Sequence, residues 1–142
     1  MIKSMPRKDS TEEYVAKFRK KYKALRPIYS KALKGTIFFT SEGFNHLLFK
    51  NGHRRPIKVI RSRLPLINLI PPVLIHSETV GKIRIQEERY KGRKVSATYF
   101  EFKKIVGAKR PTKIKVVIKK RGSLGKLQFL SVMKQKTPKK GR

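Results

Sequence analysis

One histidine in this sequence has a neighbour that suggests acid–base chemistry. His46 lies in GFNHLLFKNGHRRP, residues 43–56, and Lys50 follows it by four residues. In a helix this spacing puts the two side chains next to each other, and a nearby cation lowers the pKa of an imidazole. Because an imidazole titrates near neutral pH, the pair could hold a phosphate and transfer a proton to or from it. A solvent-facing or packing histidine fits the same local pattern.

Two more residues lie where packing alone does not explain them. Arg61 falls at the edge of the apolar stripe of PIKVIRSRL. Its guanidinium either extends to solvent, pairs with a buried anion or binds a substrate phosphate in a bidentate way. Ser131 alternates with Leu127, Phe129 and Met133 in LQFLSVMK. Its hydroxyl either bonds to the backbone or reaches a cleft between sheet and helix.

A strand-like segment, SATYFEF, presents one tyrosine and one carboxylate on the same face. Tyr99 could stack on an RNA base, although sheet packing is the ordinary role of such a residue. Glu101 is expected to form a salt bridge with a cross-strand lysine. The other two histidines, His53 and His76, are weaker candidates, because one follows a turn and the other follows PPVLI.

The charge of the chain points to a polyanionic partner. Among 142 residues, 38 Lys and Arg oppose 8 Asp and Glu, for a formal net charge of +30. Such self-repulsion favours binding to nucleic acid, where each neutralised phosphate releases counterions. The chain has no Cys, no long apolar run and no recognisable signal peptide. We therefore expect a cytoplasmic protein that binds no membrane. With so few carboxylates, we expect any phosphate chemistry to need neither metal nor cofactor.

The elements that must position these residues change in character along the chain. Helical patterns span residues 10–25, IYSKALK, SEGFNHLLFK and PIKVIRSRL, with a short strand at TIFFT and helical turns in PLINLIPPVLIH. After residue 80 the apolar period shortens to two, and four strand-like runs follow with turn-rich connections. The predicted fold is α+β, with N-terminal helices packed on a four-stranded antiparallel β-sheet. We expect a flexible N-terminus at 1–9, a single domain at 10–134, helical over 10–78 and sheet over 80–134, and a basic tail at 135–142.

The segments TSEGFNHLLFKNGHRRP, IRSRLPLINLI and IKVVIKKRGSLGKLQFLSVM resemble a ribonuclease superfamily. It groups barnase, EndoU, colicin D-type and RelE-type toxins (BECR), and the likeness is to its phage-borne and mobile-element-borne branches. The resemblance covers about residues 36–134 and implies a metal-independent endoribonuclease toxin, in which 2′-OH attack leaves a 2′,3′-cyclic phosphate. It also implies an acidic antitoxin or immunity protein as partner. A non-catalytic RNA-binding or ribosome-associated protein is the alternative.

The resemblance also implies roles for individual residues. His46 becomes the leading catalytic group, while Lys50 and Arg61 contact the phosphate and the transition state and Ser131 supplies a polar group. The RNA, whether tRNA, mRNA or rRNA, is expected to contact the remaining candidates: Arg54, Arg55, Arg63, Tyr99 and Lys115.

Overall fold

The first half of the chain forms short helices and two pairs of short strands. A computed structural model describes residues 10–107 and 109–135. In chain order the elements of this half are α1 (Thr11–Lys23), β1 (Ile28–Ser30), β2 (Gly35–Phe38), α2 (Ser41–Leu48), β3 (Phe49–Lys50), β4 (His53–Arg54), α3 (Ile57–Arg63), a 3₁₀-helix (Leu64–Leu69) and α4 (Ile70–His76).

The second half forms four longer strands. These are β5 (Lys82–Tyr90), β6 (Arg93–Val106), β7 (Thr112–Arg121) and β8 (Leu127–Gln135). They pair in sequence order as an antiparallel meander, as the alternation predicts. β2 then adds to β8 in parallel and β1 pairs antiparallel with β2, so that the sheet has six strands in the order β1-β2-β8-β7-β6-β5. The α+β class is confirmed, and the sheet is wider than the predicted four strands.

β2 forms where a short strand is predicted at TIFFT, while β1 corrects the interpretation of the rest of residues 10–78 as helical. IYSKALK does not form a helix: Ile28–Ser30 pairs with Gly35–Phe38 through a short turn. Pairing within a sheet overrides the weak helical preference of this segment. The predicted flexible segment at 1–9 lies outside the described residues, as does the predicted tail beyond Gln135.

A second correction concerns the end of α2. The helix stops at Leu48, and Lys50 instead pairs with His53 in the small β3–β4 hairpin. Asn51 and Gly52 form its turn with φ values of 52° and 80°, the left-handed backbone that an Asn-Gly hairpin favours. The predicted helical adjacency of His46 and Lys50 is therefore wrong, because the turn forces Phe49 and Lys50 into extended conformations.

The helices bury one face of the sheet. Phe102, Ile114 and Phe129 contribute fully buried side chains from the strands, and Phe44 and Leu47 contribute them from α2. α2 also lies very close to β8: a Cβ at Gly43 would be 2.4 Å from the carbonyl oxygen of Phe129. The glycine thus lets the helix that carries His46 lie directly against the sheet.

Candidate active site

A polar cleft lies on the sheet face opposite the main core, beside α2. Alternation along β6 and β7 sends Phe102 and Val116 into the core and Glu101 and Val117 to this second face. The cleft has a volume of about 420 Å³. Its functional side chains come from four strands and one helix: Glu42, His46, Arg84, Tyr99, Glu101, Lys115, Lys119 and Ser131.

A bulge in β8 brings Ser131 into this cleft. Val117 pairs with Ser131 and Ile118 pairs with Phe129, which leaves Leu130 as an extra residue in β8. Phe129 is therefore in the core while Ser131 lies on the cleft face, so the predicted shared face of these two residues is wrong. Simple alternation fails there because a bulge shifts the side-chain phase by one residue, as bulges near functional sites often do.

His46 enters the cleft from α2 as a neutral imidazole. Burial first, and then the cations of Arg55, Arg63 and Lys119, lower its pKa to about 4 against the opposing effect of Glu42. Its Nδ1 atom is buried and has no hydrogen-bond partner among the described residues. A protonated ring would need acceptors for two N–H groups, so the surroundings favour the form that can accept a proton.

Of the two arginines of α3, Arg63 rather than Arg61 contacts a residue that lines the cleft. The Arg63 guanidinium donates to the hydroxyl of Ser131 at 3.4 Å and is itself half-buried. The Arg61 guanidinium lies 4.2 Å from the centre of the Tyr14 ring on α1, and Arg61 does not line the cleft. The helical phase of α3 explains the difference, because residues two positions apart point to different sides of a helix.

Three of the predicted basic residues lie outside the lining of the cleft. Arg55 donates from Nε to the carbonyl oxygen of His46 at 3.0 Å, and so satisfies the C-terminal end of α2. Arg54 forms a 3.1 Å ion pair with Glu12 on α1, and Lys50 is exposed on the β3–β4 hairpin. None of these three lines the cleft, although Arg55 influences it through the charge that it places near His46.

The predicted residues of β6 and β7 do meet in the cleft. Tyr99 donates from its hydroxyl to Glu88 at 2.7 Å and lies under the Arg84 guanidinium, which is 4.4 Å from the ring centre. Burial, followed by the contact with Glu88, raises the pKa of Tyr99 to about 12. Lys115 lies 4.0 Å from Glu101, which confirms the salt bridge expected for that carboxylate.

Sequence reasoning missed an ion-pair network at one end of the cleft. Arg121 donates to Glu42 and to Glu88, and the ammonium of Lys119 lies 2.8 Å from Glu88 and 3.6 Å from Glu42. The hydrogen bonds from Lys119, Tyr99 and Arg121 outweigh burial and lower the pKa of Glu88 to about 2. The sequence does contain one indication of this network, because carboxylates are rare in a chain so rich in cations. A buried carboxylate must have a partner, so each one is a candidate for an ion pair.

The described residues contain no cluster of three His, Asp or Glu side chains arranged to hold a metal ion. Among those same residues, no helix is long and apolar enough to cross a membrane. No family model, no curated protein and no solved structure matches this chain.

Proposed function

We propose that this protein is an endoribonuclease that cuts RNA in the cleft between α2 and the open face of the sheet. The observation that carries the proposal is a neutral, half-buried His46 held among Arg63, Lys119 and Arg55. Cations around a proton-accepting imidazole are what cleavage of a phosphodiester requires, because they bind the phosphate while the ring removes a proton. The net charge of +30 supplies the attraction for RNA.

The proposed reaction is an internal transesterification. His46 accepts the proton of the ribose 2′-OH as the 2′-oxygen attacks phosphorus. The new 2′-O–P bond forms while the P–O5′ bond breaks, and the products are a 2′,3′-cyclic phosphate and a 5′-hydroxyl. Lys115 is the proton donor to the leaving oxygen in this scheme, because its ammonium is a cation that lines the cleft. Arg63, Lys119 and the hydroxyl of Ser131 stabilise charge on the phosphoryl oxygens.

This assignment changes the set of residues that the sequence predicts. Arg63 replaces Arg61 because it contacts Ser131, and Lys115 with Lys119 replaces Lys50 because both of these lysines line the cleft. The carboxylates that approach the cleft each contact a cation: Glu42 and Glu88 bind Arg121 and Lys119, and Glu101 pairs with Lys115. Carboxylates engaged in this way favour the route without a metal ion or other cofactor.

The test compares wild type with His46→Asn on total RNA, with the chemistry of the fragment ends determined. We expect wild type to produce cyclic phosphate ends in the presence of EDTA, and His46→Asn to bind RNA with unchanged affinity while cutting it at least a hundredfold more slowly. His53→Asn is the matched control, because His53 is exposed on β4. Equal cleavage by His46→Asn and wild type, or loss of cleavage in chelator, contradicts the proposal.

The resemblance to the BECR ribonucleases enters as part of the same proposal. The order of helices followed by an antiparallel meander is compatible with it, and so is a cleft between helix and sheet. We further propose cytoplasmic action and an acidic antitoxin or immunity protein that covers the cleft, both on the grounds of charge and of the toxicity of a free ribonuclease. Normal growth of cells that overproduce the active protein without a co-purifying acidic chain contradicts the partner.

Non-catalytic RNA binding is the second candidate, favoured by the charge alone. It makes a different prediction for the same experiment. RNA binding then remains salt-dependent and no fragment appears with any variant.

A further inference from the structure

A second pocket lies beside the cleft on the same face of the sheet. It has a volume of about 430 Å³, and its characteristic side chains are Phe38, Thr40, Tyr90, Arg121, Lys126 and Gln128. We call it the aromatic pocket. Phe38 and Tyr90 provide two aromatic rings in its lining, and no carboxylate among the described residues lines it.

Strand register connects the aromatic pocket to the cleft. Tyr99 pairs with Lys119, Lys119 pairs with Gln128, and Gln128 pairs with Phe38 across β6, β7, β8 and β2. Residues that face each other in register lie on the same face of a sheet. One continuous row therefore runs from the cleft to the aromatic ring at the far end of the pocket.

The ion-pair network separates the two pockets. Arg121 lines the aromatic pocket and binds Glu42, which lines the cleft. The Arg121 guanidinium also covers the Tyr90 ring at 3.8 Å, and the Lys126 ammonium lies 5.2 Å from the centre of the Phe38 ring. Each ring thus has a cation next to it, and a cation beside a ring can attract the phosphates that flank a base.

We propose that the aromatic pocket binds a base of the RNA strand next to the phosphate held in the cleft. The inference rests on the proposed function, because it assumes that the cleft holds a phosphate of an RNA strand. It adds a neighbouring base as a second part of the substrate that the protein binds. Aromatic rings stack on any base, and a charged surface beside them follows the backbone. A flat base flanked by phosphates satisfies both features at once.

The polar groups of the pocket indicate which bases fit. Thr40 donates from its hydroxyl to Oε1 of Gln128 at 3.0 Å, which engages the acceptor of this amide and leaves its N–H₂ group as a donor. Lys126 and Arg121 are also donors only. A base whose edge carries carbonyl oxygens matches a pocket of donors, so uracil and guanine are preferred to adenine.

The test measures binding rather than cleavage, in His46→Asn protein. Short fluorescent RNAs of uridine, of adenosine and of abasic ribose phosphate are titrated at fixed salt. We expect the uridine strand to bind about tenfold more tightly than the abasic strand, a gain typical of one stacked base. We expect Phe38→Leu and Tyr90→Leu to remove most of that gain and to leave abasic binding unchanged. Gln128→Leu should reduce the preference for uridine over adenosine.

Tyr29→Leu is the control, because Tyr29 is an aromatic residue of β1 that is 60% exposed and does not line the pocket. Two aromatic variants guard against loss of fold in one of them, and circular dichroism checks both. Equal binding of uridine and abasic strands by folded protein overturns the inference, as does an equal effect of Tyr29→Leu and Phe38→Leu. Because no step needs catalysis, absence of cleavage removes the proposed function while leaving this result interpretable.

Discussion

Arg121 binds Glu42 through both terminal guanidinium nitrogens, at 2.9 and 2.5 Å, and so ties α2 to the end of β7. The pair is partly buried and shares its charges with Glu88 and Lys119. Neutralising one member leaves the charges of the others incompletely paired. An incompletely paired charge lowers the stability of the fold when it is partly removed from water. We expect Glu42→Gln to lower the free energy of unfolding by about 1–2 kcal/mol, measured by urea denaturation.

The chain offers a matched control for that measurement. Glu12 and Arg54 form an ion pair at 3.1 Å, but their side chains are 75% and 38% exposed. Exposed pairs contribute about 0–1 kcal/mol because water screens them. Glu12→Gln should therefore change stability less than Glu42→Gln does. Equal effects of the two variants would mean that the network does not hold α2 to the sheet.

Gly43 is the residue where added volume should cost most. Besides the Phe129 carbonyl, a Cβ there would be 2.7 Å from the hydroxyl oxygen of Tyr22. Gly43→Ala must push α2 away from β8, and we expect a loss of about 2–3 kcal/mol in unfolding free energy. Gly92→Ala is the comparison: its Cβ would meet open space, and only its φ of 76° opposes the change. A Gly43→Ala protein as stable as wild type contradicts this packing.

Local sequence patterns predicted those elements whose apolar residues follow a single helical or strand periodicity from end to end. The helical pattern of residues 10–25 predicted α1, which starts at a capping box of Ser10 and Glu13, and period-two alternation predicted β5 to β8. The patterns failed where a non-local contact decides the outcome. β1 forms because β2 is beside it, and a helix predicted through Lys50 ends early because the Asn51–Gly52 turn requires extended flanks.

The candidate site was predicted in outline for the same reason. Helical phase and alternation place His46, Tyr99 and Lys115 on faces that line one cleft. Ser131 lines it as well, but through the bulge in β8 and against simple alternation. Their neighbours were not predictable, because the bulge at Leu130 and the partners of Arg121 depend on how distant segments meet. The ion-pair partner of a charged residue is known only once the fold brings the two side chains together.

His46 should also make stability depend on pH. Its pKa is about 4 in the folded protein against an ordinary 6.5, so between these values the unfolded chain binds a proton that the folded chain does not. Stability is complete above pH 6.5 and falls as the pH drops from 6.5 towards 4, by about 1–2 kcal/mol after allowance for the exposed part of the ring. His46→Asn should flatten this segment of a melting-temperature profile.

At lower pH the same profile of stability against pH depends on a different group, the carboxylate of Glu88. Glu88 has a pKa of about 2 against an ordinary 4.5, so the stability that it contributes is lost as the pH falls through that lower window. His46→Asn should leave this second fall in place, and Glu88→Gln should make it smaller without removing it, because the hydrogen bond from Arg121 also lowers the pKa of Glu42. His53→Asn, on the exposed hairpin, should leave the upper segment as it is in wild type. A wild-type profile that is flat between pH 6.5 and 4 refutes the buried, neutral state of His46.

The pH dependence of cleavage separates Arg63 from Arg61. If the neutral ring of His46 is the base, kcat/KM rises with pH through the pKa of His46 in the free protein and reaches a plateau above it. Arg63 is one of the cations that hold this pKa near 4, so Arg63→Gln should move the acidic limb to higher pH. The limb should stay below 6.5, because burial is the larger cause and persists in the variant.

Arg61→Gln should leave the limb where it is in wild type, since the Arg61 guanidinium lies over Tyr14 on the other side of α3. Steady-state rates on a short RNA from pH 3.5 to 8 measure the acidic limb of both variants. A limb that shifts in Arg61→Gln and not in Arg63→Gln shows that α3 presents Arg61 to the substrate instead.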